Sequence, residues 1–133
     1  MENLERQKTF NFQGEKVTVK FPNVGQMIDM ESLKQSLTGN KYGAMSASGV
    51  KSMFYALDMV DALSFFEVMC PKIKRILEVK SFTEMSPEEM KPVVAAYKEH
   101  VAPWYNKLLQ DLYKIGESDG ESKETTNADE ENK

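Results

Sequence analysis

The side chains with the atoms for chemistry are few: Asp58 and Asp61, Glu67, His100, Cys70 and a glycine-punctuated run from Gly39 to Ser52. Asp58 and Asp61 stand three residues apart, so a helix would place both carboxylates on one face, the start of a cation site or an acid–base pair. Magnesium or calcium needs about six oxygen ligands, and no third acid falls in that stripe. The pair therefore reads as solvated charge on a helix. His100 is the only histidine, and without an assigned acid or nucleophile it builds no triad. It reads as helix surface or as a cation near a helix C-terminus. Gly39, Gly43 and Gly49, with Lys51 and Ser52 following, have the composition of a phosphate loop. They lack the G-x-x-x-x-G-K-[ST] spacing and the preceding buried strand, so they read as an interhelix loop. No catalytic residue, metal ligand or cofactor site is assigned.

The acids lie on the stretch that organises the chain, Ser46 to Cys70, which closes at Pro71. Between Val50 and Met69, fourteen of twenty residues are apolar. On a helix, Lys51, Asp58 and Asp61 fall in one narrow stripe and the rest is apolar almost all round. Such a helix must be wrapped, by its own chain or by another. Ser46 or Ser48 is the expected cap and Pro71 the stop. Glu67 falls on the widest apolar face, and burial there requires a basic partner, with Lys74, Arg75 and Lys107 as the candidates.

The elements around this helix follow in order. Residues 9–12 and 16–21 alternate polar and apolar about Gln13-Gly14-Glu15, the signature of a β-hairpin. Phe10, Phe12, Val17, Val19 and Phe21 form its apolar face. Pro22 ends the second strand, and Asn23 with Gln26 offers a capping box to a helix reaching about residue 38. Gly39 is a natural stop. After Pro71 a short helix buries Ile73, Ile76 and Leu77. Ser86-Pro87-Glu88-Glu89 is the cleanest helix start in the chain: cap, proline at N1 and glutamate at N3. Pro92 is early enough to be tolerated, whereas Pro103 should kink the helix or restart it. Trp104, Leu108, Leu109, Leu112 and Ile115 form the last apolar stripe, ending at Gly116. The expected fold is α+β, mainly α: an N-terminal β-hairpin, then four or five helices around a central apolar one. Residues 1–8 read as flexible, 9–115 as one domain and 116–133 as a disordered acidic tail.

That tail carries seven of the 21 acids and two of the 17 bases, so the rest of the chain is close to neutral. With no large apolar side chain it cannot offset its ordering entropy. A near-neutral body with an acidic tail argues against nucleic acid as the main partner, because phosphate contacts need a cationic surplus. Lys72, Lys74 and Arg75 read as the solvated face of a helix. A single cysteine excludes an internal disulfide framework and suits a reducing compartment. The polar start MENLERQKTF is unlike a signal peptide, and four charges within twenty residues exclude the central helix as a membrane span. The expectation is a protein of the cytoplasm, with no membrane partner.

What remains is binding. Nine methionines are present, several beside aromatics, and the flexible thioether suits surfaces that accept varied apolar partners. Met53, Phe54, Leu57, Val60, Phe66 and Met69 are the candidate protein-contact residues on the central helix. Trp104 and Tyr105 are a second candidate anchor.

The run Phe12-Gln13-Gly14-Glu15-Lys16-Val17-Thr18-Val19-Lys20-Phe21-Pro22, with Val24-Gly25 and helices after it, resembles the start of small proteins of tailed bacteriophages. These are the tail-assembly chaperones and related virion-morphogenesis proteins. The likeness extends in layout over residues 9–115, through the chain length, the opening strand pair and the charged C-terminus. It implies a non-enzymatic protein that holds an aggregation-prone partner, the tape-measure protein, often as a homo-oligomer, in the host cytoplasm or in the virion. It assigns no individual residue. A virion structural or connector subunit, or a host-directed binding module, are the alternatives; an enzyme lacks any clustered nucleophile, base or metal set.

Overall fold

The structure, a computed structural model, describes residues 6–117. The reading of the acidic tail as disordered falls almost wholly outside them. The chain opens with β1 (Gln7–Phe12) and β2 (Glu15–Lys20), an antiparallel pair in the register Phe10 to Val17. Gln13 and Gly14 join them with φ values of 50° and 86°. Two positive φ values are what a tight two-residue hairpin turn demands, and glycine meets the second without steric cost. Alternation then sends Phe10, Phe12, Val17 and Val19 inward while Asn11, Lys16, Thr18 and Lys20 stay in solvent. Pairing begins at Gln7, two residues before the expected start, because polar side chains on the open face do not oppose it. Thr9 and Thr18 share a hydroxyl–hydroxyl hydrogen bond of 2.8 Å across that face.

Helices α1 (Val24–Leu37), α2 (Tyr42–Ala47), α3 (Lys51–Met69), α4 (Lys72–Leu77), α5 (Pro87–Ala96) and α6 (Ala102–Glu117) follow. The capping boxes form as the sequence requires. Asn23 Oδ1 accepts from the Gln26 N–H at 2.8 Å, and Gln26 Oε1 accepts from the Asn23 N–H at 3.0 Å. Ser86 and Glu89 repeat the exchange at 3.1 and 2.8 Å ahead of α5. Helix α3 differs from expectation at its start. Ser46 belongs to α2, a helix where only a loop is expected, and Gly49, at φ 74°, turns the chain so that Val50 becomes the N-cap. Ser48 Oγ accepts from the Val50 N–H at 3.1 Å and does not reach the first turn.

Pro103 does not break the last helix. Residues Tyr97–Val101 form a π turn, and the Ala102 N–H bonds the Tyr97 carbonyl five residues back. The wider spiral makes room ahead of a residue that has no N–H of its own and whose ring would press on the preceding turn. His100 sits in that turn and stacks on Phe10, with ring centroids 5.1 Å apart and planes 9° from parallel. The π turn thereby packs on β1.

The core is aromatic. Phe65 and Phe66 pack edge to face at 5.7 Å, with Tyr97, Tyr105 and Phe10 in ring contact around them. The hairpin lies on this cluster, with Phe21 against Trp104 and Tyr105 and the Arg6 guanidinium 4.7 Å over the Phe21 ring. A two-stranded hairpin is marginal alone, so this cover is what holds it.

Candidate functional site

Helix α3 is apolar along its length, yet the fold wraps only part of it. Ala62, Leu63, Ser64, Phe65 and Phe66 are buried, whereas Val50, Met53, Phe54 and Tyr55 are exposed. Phe54 retains 42% of its surface and Tyr55 59%. Spacings of three and four residues put Val50, Met53 and Phe54 on one side of the helix. Leu57 continues that side but is 6% exposed. Beside the patch, a groove of about 440 Å³ runs between α3 and α5, lined chiefly by Tyr55, Asp58, Met59, Pro87, Lys91 and Val94. At its rim Lys98 Nζ donates to Asp58 Oδ2 at 3.1 Å. Both groups are solvated, so the pair fixes orientation more than it adds stability.

The eight contact residues expected from the sequence are thus divided. Met53 and Phe54 are surface. Val60 and Met69 are half-buried. Leu57 and Phe66 are interior, Phe66 without any exposure. Tyr105 is buried and Trp104 half-buried, and both hold the hairpin through Phe21. The methionines narrow in the same way: Met30 and Met90 are core, five others are half-buried, and Met53 alone is exposed among the described residues. Tyr55, which the sequence reading left out, belongs to the surface; its place in an apolar run disguised it.

The acids are not simply solvated. Tyr42 Oη donates to Asp61 Oδ1 at 2.6 Å, and Lys34 Nζ lies 3.8 Å from the same oxygen and 3.1 Å from Glu31 Oε2. The Lys34 ammonium also sits 5.3 Å from the centre of the Tyr42 ring. One carboxylate therefore joins α1, α2 and α3. Burial raises the Asp61 carboxyl above its ordinary value, outweighing the opposite pull of Tyr42 and Lys34. Burial together with the adjacent carboxylate likewise raises the Tyr42 phenol. Glu67 finds Lys74, one of its three candidate partners, at 2.9 Å. Burial at the end of α3 pushes the Cys70 thiol up, which disfavours the reactive thiolate.

Two further apolar surfaces were not anticipated. Val24 and Ile28 stand out of the first turns of α1, and Leu112 and Tyr113 out of α6. Neither has a sequence signal beyond ordinary helical spacing. Among the described residues no group of three or more histidine, cysteine or acidic side chains is placed to hold a metal ion. No helix among them is long and apolar enough to cross a membrane. No family model, curated protein or solved structure matches the chain.

Proposed function

We propose that the protein works by binding, and that it holds an apolar helix of a partner protein against the N-terminal half of α3. The observation that carries this reading is the solvent exposure of Val50, Met53, Phe54 and Tyr55 on a helix whose following half is core. A contiguous apolar patch with charged groups at its edge is a common form of protein contact surface. The neighbouring groove lengthens it, and helix-in-groove docking uses side chains at the spacing found here. The resemblance to tail-assembly chaperones implies an aggregation-prone tape-measure protein as that partner. Met53, with its adaptable thioether, and the aromatic pair Phe54 and Tyr55 are the anchors.

The test is a Met53→Asp, Phe54→Asp variant of the full chain, co-expressed with a phage tape-measure protein. The variant is expected to keep its helical circular dichroism and its melting temperature, since neither side chain is core, and to lose the soluble complex. Light scattering on the variant alone reads self-association through the same patch. A complex recovered undiminished would remove this surface from the function.

A further inference from the structure

The exposed patch on α3 ends at Leu57, which is buried, and both α1 and α2 pack on α3. The six-residue α2 has no buried residue, and Tyr42 and Met45 are its half-buried side chains. It is bounded by Gly39 and Asn40 at φ 61° and 65° and by Gly49 at φ 74°, so the chain reverses sharply at both ends. It packs on α3, and its polar tie to the body is the Tyr42–Asp61 hydrogen bond, with Lys34 behind it. Leu57 lies one turn before Asp61 on the same face of α3. It is buried, yet it stands apart from the main core cluster. Tyr55 and Met59, which line the groove towards α5, project well away from that face. The cover over Leu57 therefore comes from the side of α1 and α2.

We propose that α2 is a removable strap, latched by Tyr42 on Asp61, whose release uncovers Leu57 and extends the apolar patch of α3 by one turn. Val50, Met53, Phe54 and Leu57 then present the i, i+3, i+4, i+7 pattern that a helical partner reads. The strap keeps this longer surface covered until a partner displaces it, which limits unwanted association of the free protein. The purpose assigned to the strap rests on the binding role proposed above; its motion does not.

Thiol labelling separates the two. A Leu57→Cys variant of the full chain carries two cysteines, and the natural Cys70, part of the main cluster, reports openings that breach the core. With an aromatic disulfide reagent, the thiol at position 57 is expected to react at least about tenfold faster than Cys70. Adding Tyr42→Phe removes one hydrogen bond to a charged group and should speed position 57 by about a further tenfold, with Cys70 unchanged. One common rate for both thiols, or equal acceleration of both, would show that α2 opens only with the whole fold and overturns the strap. Hydrogen exchange on Tyr42→Phe alone gives the same reading without the cysteine. Amides 45–48 should lose about tenfold in protection while those of β2 keep theirs, and parallel loss or no loss overturns it. Failure of the Met53→Asp, Phe54→Asp test leaves these labelling results standing and removes only the partner.

Discussion

The two halves of α3 have nearly the same apolar composition and opposite fates. From Ala62 to Phe66 every side chain is buried, Ser64 included, and the hairpin, the π turn and α6 supply the aromatic rings that close over it. From Val50 to Tyr55 every apolar side chain is exposed, and Tyr55 lines an open groove towards α5. Composition thus decides that a helix needs cover, and topology decides which half receives it. The difference also separates two kinds of apolar residue that look alike in sequence, those that hold the fold and those left exposed.

Truncating the same residue type in each half tests this division most severely. Phe66→Ala removes a fully buried ring and is expected to cost about 3–5 kcal/mol, read as a fall of the urea midpoint and of the melting temperature. Phe54→Ala should stay within about 1 kcal/mol, because much of its ring is already in water. Comparable losses at both positions would mean that the first half of α3 is core in solution, covered by a second chain.

Much of the framework was legible. The hairpin, its inward face, both capping boxes and the stop at Pro71 follow from local rules of alternation, hydrogen-bond satisfaction and proline geometry, which need only neighbours in sequence. The pairings that define the candidate site are of another kind. Tyr42 meets Asp61 across nineteen residues, and nothing in the run from Thr38 to Gly49 announces either the helix or its target. The Asp58–Asp61 pair looked like one solvated stripe, yet α5 leaves Asp58 at a groove rim while α2 and α1 close over Asp61. Leu57 and Phe66 could not be told from Phe54, since a helix apolar almost all round gives no phase to its burial. Pro103 was read by the correct steric rule; the π turn that relieves it carries His100 onto Phe10, a contact across ninety residues.

A subtler contrast lies at the helix starts. Helices α1 and α5 begin with capping boxes, whereas α3 begins at Val50, an exposed apolar residue with no side-chain bond to the first turn. A residue chosen for folding alone would be serine, aspartate or asparagine there. Val50→Ser is therefore expected to stabilise the fold by about 0.5–1 kcal/mol, measured by denaturant titration, while weakening partner retention. Gain in stability with unchanged binding would take Val50 out of the contact surface and shorten the patch to Met53, Phe54 and Tyr55.

The smallest effect probes how dry the covered part of the first half is. The Asp61 carboxyl is raised above its ordinary value of 3.8 chiefly by burial, with Asp58 and Glu31 adding to the rise and Tyr42 and Lys34 opposing it. A raised carboxyl binds its proton more tightly in the folded chain than in the unfolded one. Its contribution to stability is then full below the unfolded value and is lost as pH climbs through the folded value. Asp61→Asn can still accept the Tyr42 hydroxyl but carries no charge, so it removes this dependence. Chemical denaturation from about pH 3 to pH 7 should show the natural protein losing stability relative to the variant as pH rises, then running parallel to it. Parallel curves throughout would mean that water reaches Asp61 freely and that α2 shields the face of α3 far less than its hydrogen bond implies. A slope of the opposite sign would make Lys34 and Tyr42 the dominant influences, and the latch would then hold most firmly in its ionised form.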